Sequence, residues 1–196
     1  MKVLPESFYL RNSVTTIAKQ LVGKLLYTHS KGHITSGLIV ETEAYSFREH
    51  GCHAYQSRMT RRNQIMFGPG GHTYVYVCYG MHHLLNVVTN QAQQAEAVLI
   101  RALQPVEGIQ VMLDRVNTDT VKRITSGPGK LTKALGIDRT WNGKQLLGTE
   151  IWIEEGEKLN TRHLMATTRV GIDYAGEDAN LPWRFYWKDN PWVSKV

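Results

Sequence analysis

The sequence predicts an α+β fold: a single domain over residues 1–196 with a curved mixed or antiparallel β-sheet, a protruding β-hairpin and flanking helices. Three observations predict it. Tyr74-Val75-Tyr76-Val77-Cys78 alternates with period two, breaks at Tyr79-Gly80-Met81 and resumes as an apolar run, which is the pattern of a hairpin. Two strand-like runs at 24–29 and 34–44 meet at Ser30-Lys31-Gly32, a second tight turn. The segments with helical spacing are few and short, so they flank an antiparallel sheet instead of alternating with parallel strands.

The elements follow in order along the chain. Residues 13–22 read as a helix, with Asn12 or Ser13 as N-cap and Gly23 just past its end. The strands at 24–29 and 34–44 come next. Residues 46–71 are polar, rich in Arg and His, and close on Gly68-Pro69-Gly70-Gly71. A loop of that length in a compact domain is usually functional. The hairpin of 72–90 precedes a strand at 97–103. A helix at 105–116 is predicted to open with Pro105 and to present Val106, Ile109, Met112 and Leu113 on one face. Another helix at 128–135 is expected to be capped by Ser126 and ended by Gly136, and short strands near 151–153, 166–172 and 184–188 finish the chain.

Composition narrows the function. No apolar run approaches the ~18 residues that span a bilayer. The first residues lack the apolar stretch of a signal peptide, so the expected location is cytoplasmic (nucleoid-associated if bacterial). Two cysteines, Cys52 and Cys78, are too few for a disulfide framework. The formal net charge of +6 favours a polyanionic partner, because neutralising phosphates releases condensed counterions. On such a chain, an aromatic and a methionine at an exposed hairpin turn suggest a wedge that enters a base stack.

Several side chains could carry chemistry. Glu41, Glu43 and Tyr45 lie two apart on a strand and share a face, with Val40, Thr42 and Ala44 suited to the core opposite. A solvated strand face is the ordinary reading of Glu-Thr-Glu. A carboxylate beside aromatic walls, running into the Arg/His loop, is also what a general base for water requires. His72, Tyr74 and Tyr76 share a face by the same period, either as a core stripe or as a binding wall. Asn86 must find a partner if buried. Arg101 ends an apolar strand and needs a carboxylate such as Glu43 if buried, or else snorkels to the surface. His50, Cys52 and His53 match no common zinc spacing, and no metal or organic cofactor is expected.

Six blocks in one order resemble a known family: Val40-Glu41-Thr42-Glu43-Ala44-Tyr45, Arg62-Asn63 with Met66-Phe67, Tyr74-Val75-Tyr76 with Tyr79-Gly80-Met81, Leu99-Ile100-Arg101-Ala102-Leu103, Ser126-Gly127-Pro128-Gly129-Lys130-Leu131 and Pro191-Trp192-Val193-Ser194. The chain resembles the alkyladenine (3-methyladenine) DNA glycosylases from about residue 5 to its C-terminus. The resemblance implies an enzyme that flips a damaged purine from double-stranded DNA and hydrolyses its N-glycosidic bond. It implies Glu43 as the general base, with Arg101 and the backbone carbonyl of Val170 helping to hold the attacking water. Tyr45, His53 and Tyr76 match the walls of the base pocket, and Asn86 the side chain that guards it against guanine. Tyr79, with Met81 beside it, matches the element that fills the gap in the duplex, while Arg62, Ser126, Gly127 and Lys130 match positions near the DNA backbone. His53 is preferred to His50 as the pocket histidine because Arg62-Asn63 then stays near register.

The chemistry agrees with that expectation. Alkylation at N3 or N7 leaves a cationic purine that departs readily, and tyrosine faces attract such a ring by ~1–2 kcal/mol when desolvated. A carboxylate near the sugar stabilises an oxocarbenium-like transition state. A lyase step would need an amine nucleophile, and no Lys matches a base-pocket position. The partner the resemblance implies is duplex DNA containing damaged purines, with a monomer expected and no membrane involved. Two rivals are weighed: a non-catalytic module that senses DNA distortion through Tyr79, and a carbohydrate hydrolase using Glu41 and Glu43. The latter is disfavoured because residues i and i+2 sit side by side, about 6.5–7 Å apart, instead of flanking a sugar.

Overall fold

The computed structural model describes residues 2–158 and 160–195. Its strands, β1 (Leu25–Ser30), β2 (His33–Ser46), β3 (Thr73–Cys78), β4 (His82–Thr89), β5 (Glu96–Glu107), β6 (Ile151–Glu154), β7 (Leu164–Thr167) and β8 (Arg184–Trp187), form one antiparallel sheet in the order β3-β4-β5-β2-β1-β6, with β8 joining β2 and β7 joining β8. The sheet curls into a half-barrel flanked by a few helices, an α+β architecture.

Helix α1 is one turn, Glu6–Tyr9, and α2 spans Val14–Leu21. Of the two candidate caps for α2, Ser13 takes the role: its side chain accepts from the Thr16 N–H at 3.3 Å. Val14, Ile17, Ala18 and Leu21 form the buried stripe of α2, and Thr42 Oγ1 donates to the Ala18 carbonyl at 2.9 Å, docking the helix on the sheet.

Strand β1 covers Leu25–Ser30 and β2 covers His33–Ser46, joined by Lys31 and Gly32 at φ 51° and 78°. That pair of left-handed residues is what a two-residue hairpin turn demands. Strand β2 organises the molecule. One edge pairs with β5 (Glu96–Glu107) along most of its length, while the other pairs first with β1 and then with β8 (Arg184–Trp187). Register slips between β2 and β5 at Ile39/Glu41 and at Glu41/Thr42, leaving Val40 and Arg101 as the unpaired extra residues. Bulges bend a strand and re-aim its side chains, and here one lies in each strand beside the carboxylates.

The expected hairpin is present as β3 (Thr73–Cys78) and β4 (His82–Thr89), with Tyr79 at φ 49° and Gly80 at 72° in its turn. Strands β6 (Ile151–Glu154) and β7 (Leu164–Thr167) complete the sheet. Alternation sorts residues onto two faces. Val75, Val87, Val98 and Ile100 join the larger core with α2, α3 (Ile109–Val116) and α4 (Pro128–Leu135). Their neighbours Tyr74, Val88 and Ala97 join a second cluster with Met66 and Phe67. That second cluster holds the loop after β2 against the sheet, so the loop roofs the face that carries Glu43 and Tyr45.

Three sequence expectations require correction. The helix expected at 105–116 is α3, Ile109–Val116, with Gly108 at its N-cap. Pro105 and Val106 belong to β5, where Pro105 lies opposite Gly37 at an irregular step in the pairing. A proline is tolerated there because no ladder N–H is lost in regular register. Helix α4, Pro128–Leu135, is capped by Gly127, not Ser126, because the Ser126 hydroxyl donates to Arg123 O at 3.3 Å. The strand expected at 166–172 stops at Thr167, because Arg169 and the residues after it leave the sheet to bind the loop opposite.

Candidate active site

The second face of the sheet opens into a cavity of about 400 Å³, within the range of small-molecule sites. Its walls bring together Tyr45 from β2, His53 from the long loop, Tyr74 and Tyr76 from β3, Asn86 from β4 and Arg101 from β5, with Tyr79 at the rim. The N-terminal turn of α4 adds Gly127 and Lys130, and the segment after β7 adds Val170, Ile172 and Tyr174.

Beneath this floor lies Glu43, fully buried. Its Oε1 accepts the Val170 N–H at 2.7 Å, and Oε2 accepts the Tyr45 hydroxyl at 2.8 Å and Arg101 Nη1 at 3.4 Å. A carboxylate offers about four lone-pair sites, so one remains open, on Oε1. Burial raises the Glu43 pKa above the usual carboxylate range, while Arg101, Val170 and Tyr45 each pull it down. Glu43 itself does not reach the cavity wall; Tyr45, Arg101 and Val170, which hold it, do. The Val170 contact to Glu43 is made by its N–H; the carbonyl is what the resemblance assigned to the attacking water.

Glu41 has a different part. Its Oε1 accepts from Arg101 Nε at 3.0 Å, Arg184 Nε at 2.6 Å and the Ser194 hydroxyl at 2.9 Å, and its Oε2 accepts the Ser194 N–H at 2.7 Å. Four donors, two of them guanidinium nitrogens, hold Glu41, and it serves as their anchor. It turns the Arg101 guanidinium toward Glu43 and anchors the C-terminal segment. Arg101 is therefore no snorkelling surface residue but a buried cation between two carboxylates.

Aromatic rings form the upper wall. The rings of Tyr74 and Tyr76 lie 5.4 Å apart, and His53 meets Tyr76 edge-on at 4.6 Å. His53 Nδ1 is 2.8 Å from the Tyr74 hydroxyl, and Nε2 is 3.4 Å from Arg62 Nη2. Arginine can only donate, so Nε2 accepts and Nδ1 carries the proton. Burial, with Arg62 alongside, lowers the His53 pKa to about 4, so the ring is neutral at physiological pH. His50 points elsewhere, to Asp178 at 2.7 Å, and does not line the cavity. His72 bonds Pro69 O at 3.1 Å and also lies outside. Asn86 is buried, and its Nδ2 donates to Tyr74 O at 3.1 Å, which fixes its amide at the cavity wall. Burial pushes the Cys52 thiol up to about 12, which leaves it inert.

At the hairpin tip, Tyr79 is 88% exposed and Met81 is 72% exposed. Such exposure contributes nothing to folding. Arg62 is exposed and lies over the Tyr76 ring, 4.9 Å from its centroid. Ser126 is buried and its hydroxyl is engaged internally, so Gly127 and Lys130 represent that block at the surface of the site.

Sequence reasoning missed a strap. Arg169 grips Glu49 with Nη1 to Oε1 and Nη2 to Oε2, both at 2.8 Å, and also donates to Ala44 O at 3.0 Å and Asp178 O at 3.1 Å. It ties β2, the long loop and the segment carrying Val170 into one unit. Tyr174 OH adds a bond to Gly51 O at 3.2 Å across the same two segments. Pairs separated by 120 residues leave no local pattern in the sequence.

A buried carboxylate with an open lone pair, a cation beside it and an aromatic cavity above is suited to activating water against a planar ring system. Comparison with known proteins identifies the family. The profile described as methylpurine-DNA glycosylase (MPG) matches residues 7–191. A protein of Carboxydothermus hydrogenoformans named "Putative 3-methyladenine DNA glycosylase" is 47% identical over 194 residues, 98% of this chain and 99% of its own. Proteins of the same name from Clostridium acetobutylicum and Chlamydia pneumoniae are 44% and 47% identical, over 99% and 93% of this chain and 98% and 94% of theirs. With five of the six sequence blocks lining one cavity and the match running almost end to end, the chain belongs to the methylpurine-DNA glycosylase family.

Proposed function

We propose that this protein is a monofunctional DNA repair glycosylase that flips alkylated or deaminated purines out of duplex DNA and hydrolyses the N-glycosidic bond, leaving an abasic site. The observation that carries this is Glu43: a carboxylate held by Tyr45, Val170 and Arg101 directly under an aromatic cavity. Its open lone pair takes a proton from water, which attacks the anomeric carbon as the base departs. The carboxylate charge stabilises the oxocarbenium-like transition state. Arg101 helps hold the water, and the Val170 carbonyl is its further contact. Tyr45, Tyr76 and His53 clasp the base and Asn86 guards against guanine.

Tyr79 and Met81 fill the space the flipped nucleotide leaves, which offsets part of the few kcal/mol that unstacking costs. Arg62 and the N-terminal turn of α4 with Gly127 and Lys130 meet the phosphates, while Ser126 is buried behind them. The protein acts as a monomer in the cytoplasm and needs no cofactor.

The test is base release from a short duplex carrying one ethenoadenine or hypoxanthine, with alkali converting abasic sites to strand breaks. Wild type should release the base and Glu43→Gln should bind the lesion without releasing it. Strand breaks without alkali would point to a lyase. Because Glu43 is covered by Tyr45 and Arg101, a distortion sensor without catalysis is the competing reading; tight lesion binding with no release by wild type would establish it.

A further inference from the structure

One sequence block, Pro191-Trp192-Val193-Ser194, lines no part of the cavity, yet its last residue is buried among the charges behind the cavity wall. Asn190 turns the chain back after β8. Its Oδ1 accepts the Trp192 N–H at 3.0 Å, and its Nδ2 donates to Gln104 Oε1 on β5 at 2.9 Å. Trp192, partly buried, packs against the larger core. Ser194 therefore arrives beside Glu41 on a segment already fixed to the sheet. Its N–H donates to Glu41 Oε2 at 2.7 Å, and its hydroxyl donates to Oε1 at 2.9 Å. The same hydroxyl oxygen accepts Arg101 Nη2 at 3.4 Å, and the Ser194 carbonyl accepts Arg184 Nη2 at 3.5 Å.

Two guanidinium groups converge on Glu41 Oε1, Arg184 Nε at 2.6 Å and Arg101 Nε at 3.0 Å. Like charges so close repel, and the shorter contact favours Arg184. The contact of Arg101 to Glu43, at 3.4 Å, is at the long end of hydrogen bonding and holds the guanidinium weakly. Ser194 decides the contest. A hydroxyl both donates and accepts, so this one fixes the Glu41 carboxylate and seats the far corner of the Arg101 fork together. Glu41, Ser194 and Glu43 then take one Arg101 nitrogen each, which sets the plane of the guanidinium. We propose that Ser194 is a positioning residue for base release: through Glu41 and Arg101, it sets the angle at which the guanidinium steadies the attacking water beside Glu43. The inference rests on the glycosylase reading and adds to it a residue that lies outside the cavity and reaches neither the water nor the base.

The experiment compares wild type, Ser194→Ala and Ser194→Thr in single-turnover release of ethenoadenine or hypoxanthine from a duplex. Equilibrium binding is measured beside it, with the same lesion on a 2′-fluoro sugar, which resists oxocarbenium formation and keeps the base attached. Ser194→Ala retains the backbone N–H and carbonyl contacts, and thermal melting checks that it folds as wild type does. A hydrogen bond to a charged group is worth about tenfold or more, so Ser194→Ala should release the base about tenfold more slowly while its lesion affinity stays within about twofold. Ser194→Thr restores the hydroxyl and should recover most of the rate. The pH–rate profile is a readout that lost packing would not move. Glu43 faces Tyr45 and Glu41 on its own strand, Arg101 on β5, Arg184 opposite it on β8, and Arg169 with the Val170 N–H beyond β7. Burial raises its pKa and Arg101 is the foremost group pulling it down, so a displaced Arg101 should move the acidic limb of the profile to higher pH. A wild-type rate in Ser194→Ala, an equal loss in Ser194→Ala and Ser194→Thr, or rate and affinity falling together with the acidic limb unmoved would overturn the inference while leaving the glycosylase reading in place. No release by wild type would overturn both.

Discussion

Replacing Glu49 by Gln strikes the strap that holds the cavity together. The Glu49 carboxylate, 2% exposed, accepts from both Arg169 nitrogens at 2.8 Å, from Gly51 N at 2.7 Å and from Ser46 N at 3.3 Å. In the Glu49→Gln variant, one oxygen becomes an NH₂ facing two donors, and the Arg169 charge loses its counterion inside the protein. Removing one partner of a buried pair costs about 3–5 kcal/mol. The retained oxygen keeps half of the contacts, so the expected loss is about 3 kcal/mol, a fall of ~6–12 °C in Tm for a domain of this size. Urea unfolding would measure it, read as a midpoint shift at constant slope. Arg169→Met should cost a similar amount, and the double variant should cost less than the sum by about 2–3 kcal/mol, because the second change removes an already orphaned charge. A loss below about 1 kcal/mol, or simple additivity, would refute the account of a buried, coupled pair. Since Arg169 is adjacent to Val170, whose N–H holds Glu43, both variants should also slow base release in protein that remains folded.

Two further outcomes follow from the geometry. Glu43 has its folded pKa raised by burial, so the stability it permits is present at low pH and is lost as pH rises through that value. Relative to wild type, Glu43→Gln should therefore gain stability from acidic to neutral pH, checked by urea midpoints at both; an unchanged difference would contradict the direction of the shift. Tyr79→Ala should leave stability within about 0.5 kcal/mol of wild type, because surface changes rarely do more, yet weaken binding to a lesion-bearing duplex; a marked fall in Tm would show that Tyr79 packs against the protein.

Much of the architecture was legible in the chain because it is local. The alternation from Tyr74 to Cys78 and the Tyr79-Gly80 turn mark the hairpin without reference to anything else, and Ser13 with the apolar spacing of 14–21 marks α2. The misread helix shows the limit: Pro105 suits the start of a helix, but pairing of β5 with Gly37 outweighed that preference. Glu41 and Glu43 look alike in sequence, neighbours on one face of one strand. They differ because Arg184 and the C-terminal segment take hold of Glu41, whereas Glu43 is held by Tyr45 and Val170, which line the cavity.

Strand alternation, the exposed wedge and the set of side chains that the family resemblance brings together are written into the chain itself, since they depend on residue type and short-range spacing. Which carboxylate is free to act, which histidine faces the cavity and which arginines charge its walls came from the packing of distant segments. Arg101 and Glu43 are 58 positions apart, and Ser194 and Glu41 are 153 positions apart. In a low-dielectric interior such contacts set the charge state and orientation of each group, and neither spacing nor composition encodes them.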